Sequence, residues 1–223
     1  MNRYAPELAL VTGGLLAVVL GGFVLFSLGD VYSAVVAAAV AGYPFVAYAT
    51  HTSEDPTGVL PPRVVVAVGA LAAGVVFFDV VESFPAGTRT LLFGWLLALC
   101  VFLPVAAYGA RYGSLPTVLP ARPVAAVTTL AAAGTVAFGA SAAPLYATAS
   151  SLLVFVAGVM FADARGGLDR RRRRQLPLAG LLTASVLVVV GTLLGGPLEP
   201  WVLGALVAAF GPLVVYGLTA ELA

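Results

Sequence analysis

The chain has no lysine, one cysteine, one histidine and few charges of either sign. Asp, Glu, Lys and Arg make up 9 % of its 223 residues, where a soluble domain carries about 25 %. Without lysine there is no amine for a retinal Schiff base. There is likewise no Gly-x-x-x-x-Gly-Lys loop, which excludes ATP hydrolysis by a P-loop. Cys100 has no second thiol to pair with, so no intrachain disulfide forms. His51 is the only imidazole; with Glu54 and Asp55 beside it, it is far from the ligand cluster a zinc centre needs. No histidine or lysine lies within an apolar stretch, so a serine there lacks a base to activate it. Gly29-Asp30 shares two residues with the Gly-x-Gly-Asp of intramembrane aspartyl proteases, but Ser27 stands where the first glycine belongs. The ten acids and eleven bases leave a net charge of +1, and nothing in that balance suits a nucleic acid. The expectation is a protein that is not an enzyme, with no catalytic residues, metal or cofactor.

What the chain has in excess is apolar surface: 61 % of it is hydrophobic. A helix that crosses about 30 Å of hydrocarbon needs roughly 20 such residues and satisfies its own backbone hydrogen bonds. Eight stretches qualify, at 8–28, 31–50, 64–84, 90–110, 124–140, 144–163, 178–194 and 199–220. Gly, Pro and charge mark the breaks, among them Gly29-Asp30, Pro85-Ala86-Gly87 and Gly195-Gly196-Pro197. The fold expected is an all-α integral membrane protein, one polytopic domain over 1–223, with eight transmembrane helices in four consecutive helical hairpins. The first span follows Arg3, yet its apolar run exceeds a signal-peptide core and no small-x-small cleavage site follows. It reads as a retained helix.

Arginine placement sets the orientation. With a cytoplasmic N-terminus, Arg3, Arg63, Arg111, Arg122, Arg165 and Arg170 to Arg174 all lie inside, and Arg89 alone lies outside. Such a split over short loops is the positive-inside pattern, so both termini are expected in the cytoplasm and the protein in the cell membrane as a multi-pass chain. Tyr4, Tyr48, Tyr108, Tyr112 and Tyr216 then lie near the inner interface, and Tyr32, Tyr146 and Trp201 near the outer one.

The spans also show a weak self-similarity. Pro6, Pro62, Pro123 and Pro177 precede the odd-numbered spans at intervals of 56, 61 and 54 residues. Pro44, Pro104 and Pro212 sit near the inner ends of three even-numbered spans, each with a tyrosine four residues on, namely Tyr48, Tyr108 and Tyr216. Proline inside a helix removes a donor and clashes with the carbonyl four residues earlier, here Val40, Cys100 and Ala208. Helix kinks are therefore expected at these three sites. The sixth span has Ala157 in that place.

Three groups of residues are candidates for function. Asp79 and Glu82 share one face of the third span near its outer end, and Arg89 in the following loop is placed to pair with either. Carboxylates at such depth are candidates for a cation site, but Asp79 lies only roughly 7.5 Å inside the span's end, which suits an interfacial ion pair. Arg170, Arg171, Arg172, Arg173 and Arg174 form the densest charge and suit contact with anionic lipid of the inner leaflet, or plain topological anchoring. Hydroxyls within the spans (Thr128, Thr129, Thr135, Thr148, Ser150, Ser151, Thr183 and Ser185) are packing signals first, and a pore lining second. The function expected is that of a non-enzymatic subunit or scaffold of a membrane assembly, with the lipid bilayer and a membrane protein as partners. A small-solute transporter or channel built on the proline-kinked helices is the alternative. A membrane enzyme acting on lipid comes third, because no cluster of acids and bases can be assembled for it.

Overall fold

The computed structural model describes residues 5–53, 55–113, 121–164, 170–194 and 198–220. All regular structure among them is helical: α1 (Ala5–Leu28), α2 (Val31–Thr52), a single turn α3 (Pro56–Val59), α4 (Pro62–Ser83), α5 (Thr88–Tyr112), α6 (Ala121–Gly139), α7 (Pro144–Ala164), α8 (Arg170–Leu194) and α9 (Glu199–Ala220). Six helices are long and apolar enough to cross a membrane: α1, α2, α4, α5, α7 and α8. The fifth and eighth expected spans are helices too, α6 and α9, with shorter apolar stretches at Pro123–Gly139 and Trp201–Leu213.

Two sequence readings need correction here. The seventh span, expected at 178–194, matches an apolar stretch at Gln175–Leu193, but its helix α8 starts at Arg170 and draws the arginine run into its first turns. Arginine is a good helix former, and five in succession continue a helix rather than a loop. Pro177 therefore lies inside α8 instead of opening it. Pro6, Pro62 and Pro123 do fall in the first turn of their helices, where a missing N–H costs nothing. The regularity of prolines at span starts thus stops at three.

The chain packs as two compact units. The first comprises Met1–Ala86 with Phe93–Leu115, the second Gly87–Leu92 with Pro116–Ala223. In the first unit α1 and α2 pair antiparallel through small residues. Gly13 lies against Phe45, and Gly21 against the backbone of Ala34 and the methyl of Ala38. Gly29 makes the connection possible: its φ of +80° is a conformation that glycine adopts without strain, and it ends α1 with a hydrogen bond from its N–H to the Leu25 carbonyl. α4 and α5 pair likewise, Gly69 facing Val105 and Gly94 facing Phe77 and Val80. α2 then lies on that pair, with Tyr32, Val35, Val36 and Ala39 around a buried cluster of Ala73, Val76, Ala98 and Val101.

The second unit uses the same device. Gly158 of α7 receives Thr128 of α6, and Ala147 meets Gly139 and Leu92. Gly191 of α8 receives the Trp201 ring of α9, and Gly211 of α9 receives Phe155 of α7. The interior is filled mainly by alanine, glycine, valine and serine, with Leu92 and Leu99 among them, while many large side chains face outward: Phe26 is 93 % exposed and Leu193 79 %. That inversion suits hydrocarbon, which solvates leucine and phenylalanine as well as a protein core does. Helices there associate by close contact and hydrogen bonds rather than by hiding apolar surface.

Close contact makes a sharp contrast between two glycines on α4. A Cβ at Gly69 would sit 2.5 Å from Cγ1 of Val105 and 2.9 Å from its Cβ, in a stiff β-branched side chain that has nowhere to turn. At Gly74 it would meet nothing within 4 Å. Gly69→Ala is expected to destabilise the purified protein by about 1–3 kcal/mol. Gly74→Ala should leave it unchanged or gain up to about 1 kcal/mol of helix propensity. Thermal unfolding in detergent, followed by circular dichroism, compares the two; equal midpoints would contradict the packing described.

Candidate functional site

Polar groups in this molecule are few, and their positions decide what it can do. The first unit gathers carboxylates where α1 meets α2 and where α4 ends. Tyr32 is the second residue of α2, so its N–H has no partner within the helix. Asp30 occupies the N-cap position with extended backbone but makes no side-chain cap. The cap comes from another helix: Oδ2 of Asp79 accepts the Tyr32 N–H at 2.7 Å. A carboxylate at a helix N-terminus is favoured by the amide dipoles as well as by the bond itself. Oδ2 of Asp30, by contrast, is enclosed and has no hydrogen-bond partner.

Three rings close over this place. Tyr32, Phe84 and Phe93 make a mutual edge-to-face set, with centroid separations of 6.0 Å (Tyr32–Phe84), 6.2 Å (Tyr32–Phe93) and 6.0 Å (Phe84–Phe93). Glu82, one turn beyond Asp79, is exposed. In the second unit the guanidinium of Arg89 lies over the Tyr146 ring, 5.9 Å from its centroid, a cation–π arrangement. Of the three charged residues the sequence groups together, Asp79 is thus engaged with a helix end and Arg89 with an aromatic face. The role of Asp79 as an inter-helix cap is not legible from its spacing to Glu82, because the partner lies 47 residues away along the chain.

The prolines form a second set. α2, α5 and α9 continue as helices through Pro44, Pro104 and Pro212. Pro104 cannot donate to the Cys100 carbonyl, and a donor arrives one residue along: the Tyr43 hydroxyl of α2 bonds the Val101 carbonyl. At Pro212 the freed carbonyl of Ala208 faces Gly180 of α8, whose missing side chain lets the two backbones touch. Tyr43 stands next to Pro44, and nothing in the sequence pattern marks it, since the repeat draws attention to Tyr48 instead. Tyr108, which the repeat does mark, directs its hydroxyl to the carbonyls of Leu60 (2.6 Å) and Pro56 (3.0 Å), pinning the α3 turn to α5.

The span hydroxyls are largely committed. Thr129, Thr135, Thr148, Thr183 and Ser185 each donate to the carbonyl four residues earlier in their own helix. Thr128 bonds Val124 and Ala125 in the same way. Ser151 crosses between helices, from α7 to the Ala132 carbonyl of α6, at 2.7 Å. Ser150 beside it is fully buried with its hydroxyl unpartnered. Asp55, near His51, caps α3: it accepts from the Thr57 hydroxyl at 2.7 Å, the Thr57 N–H at 3.1 Å and the Gly58 N–H at 3.3 Å. Glu54 lies outside the described residues. So do the side chains of Arg170 to Arg174, whose backbone is helical. No group of three metal-ligating side chains occurs among the described residues.

Two expectations follow from these bonds. Asp79→Ala should destabilise the protein by about 1 kcal/mol through loss of the α2 cap, with Asp79→Asn, which keeps an acceptor, much closer to wild type. Equal thermal midpoints for wild type and Asp79→Ala would contradict the capping role. The second concerns pH. The Thr57 hydroxyl, then the Gly58 and Thr57 amides, hold the Asp55 carboxyl below the usual carboxylate range. Its folded pKa lies below its unfolded one, so the cap is fully formed above the unfolded value and is lost as pH falls through the folded one. Amide exchange at Thr57 and Gly58 should therefore accelerate, relative to the helix interiors, only in acid below the ordinary aspartate range; Asp55→Ala should show the faster exchange at all pH values. The chain matches no protein-family model, no curated protein and no solved structure.

Proposed function

We propose that this chain is a non-enzymatic multi-pass protein of the cell membrane that serves as a subunit or scaffold of a larger membrane assembly. In this reading α6 and α9 cross the bilayer with the six longer helices, giving eight spans in four consecutive hairpins and cytoplasmic ends. The observation that carries the reading is where the polar groups are spent. Asp79 caps α2, Tyr43 serves the Val101 carbonyl, Ser151 ties α7 to α6, and the threonines bond their own helices. Groups used to hold helices together are not free to bind or move a solute. The arginines of α8 would rest on anionic lipid of the inner leaflet, where each contributes about 1 kcal/mol near the surface. The competing reading is a small-solute transporter whose Pro44, Pro104 and Pro212 helices bend to open a path. It draws on the three mid-helix prolines.

The orientation is checked by placing cysteines, in a Cys100→Ala background, at Glu54, Gly87 or Gly167. With an impermeant thiol reagent on intact cells, Gly87→Cys is expected to label and the other two to resist. The assembly reading is checked in native membranes solubilised in mild detergent. The protein is expected to migrate with a stoichiometric membrane-protein partner. If the protein is alone, and reconstituted vesicles show a solute flux that Pro104→Ala alters without loss of yield, the transporter reading replaces it.

A further inference from the structure

Among the described residues of the first unit, three acidic side chains gather at one end and the basic ones at the other. Asp30 stands at the start of α2, and Asp79 and Glu82 on the last turns of α4. The described basic side chains of this unit are His51, Arg63 and Arg111. Arg63 begins the helix that Glu82 nearly ends, about 28 Å away at ~1.5 Å per residue. His51 and Arg111 lie in the last turns of α2 and α5, at that same far end. The dipole of α2 compensates Asp79 in part, but Glu82 is exposed and the enclosed oxygen of Asp30 has no donor. Carboxylates at membrane depth are normally paired, because an isolated charge there is costly.

Asp79 and Glu82, but not Asp30, line an open groove of about 460 Å³ along α4, which Val31 of α2 also borders. Ala70, Gly74, Leu71 and Phe78 line it with these two acids, and Leu71 and Phe78 stand exposed. Ala70-x-x-x-Gly74 has the small-xxx-small spacing by which membrane helices approach one another. Gly69, on the same helix, has its notch filled by Val105, whereas the notch at Gly74 is vacant.

We propose that this groove receives a transmembrane helix of a partner protein that carries an arginine or lysine near its outer end. The basic side chain would form a charge-assisted hydrogen bond to Glu82 while the helix backbone seats on Ala70 and Gly74. The charge calls for a cation, and the shape calls for a rod with small side chains; a basic transmembrane helix meets both. This proposal rests on the assembly reading above and specifies where and with what chemistry a partner docks.

The test uses the full chain in phosphatidylcholine vesicles, with a donor dye on Gly87→Cys in the Cys100→Ala background. The probes are acceptor-labelled Leu/Ala transmembrane peptides containing one Ala-x-x-x-Gly segment, with arginine or leucine one turn inside the outer end. Energy transfer is expected to show the arginine peptide associating about tenfold more tightly than the leucine peptide. Glu82→Gln should reduce it to the leucine level. Gly74→Leu should abolish association of both peptides without lowering the thermal midpoint below that of Gly74→Ala, since a Cβ there meets nothing within 4 Å. Equal association of the two peptides, or indifference to Glu82→Gln or to Gly74→Leu, overturns the proposal. In vesicles half phosphatidylethanolamine, Glu82-dependent enrichment of that lipid with no peptide preference overturns it in favour of a lipid amine. The two readings fail separately. A native partner retained by both Glu82→Gln and Gly74→Leu removes this groove as its dock and keeps the assembly reading. Arginine-peptide preference without any native partner keeps the groove's chemistry and removes the assembly reading.

Discussion

Hydrocarbon offers no hydrogen bonds, so the backbone donors and acceptors that this chain carries into it must be answered from within. Most of the structure's polar detail is a consequence of that constraint. The start of α2 has free N–H groups, and Asp79 reaches across from α4 to answer one of them. Pro104 opens a gap in the backbone ladder of α5, and the Tyr43 hydroxyl bonds the carbonyl next to the gap. At Pro212 the Ala208 carbonyl lies against Gly180 of α8. There backbone meets backbone.

The same environment reverses the ordinary rule for what belongs inside. Water expels large apolar side chains into a core; lipid does not. Here Val76 and Val80 are among the largest fully buried side chains, with Ser150 and Ser151 beside them in that class. Association is then limited by how closely two backbones can come, because dispersion decays steeply with distance and one added methyl can separate them. Glycines that receive Phe45, Val105, Thr128 or Trp201 are therefore constrained positions, whereas many of the outward leucines and valines are interchangeable.

Regularity in the sequence was a partial guide. Proline at the first turn holds for α1, α4 and α6, and fails at α8, where a run of arginines extends the helix ahead of Pro177. The charged trio was grouped by nearness along the chain, and the structure gives each member a different setting: a helix end for Asp79, an exposed position for Glu82, the Tyr146 ring for Arg89. Spacing along one helix reports which residues share a face. It does not report what that face meets.

The sequence by itself determined that the chain is helical and apolar enough for a membrane, and it placed most helix ends to within a few residues, the start of α8 excepted. Those properties depend on local composition: apolar length, and breaks at Gly and Pro. Helix pairing, the cap on α2, the donor for Val101 and the vacant notch at Gly74 were decided only by the tertiary structure. The cap and the donor each join segments that lie far apart in the chain, and a glycine that receives a side chain is written the same way as one that receives nothing. Gly69 and Gly74 differ in no local feature; only the presence of Val105 against one of them tells them apart.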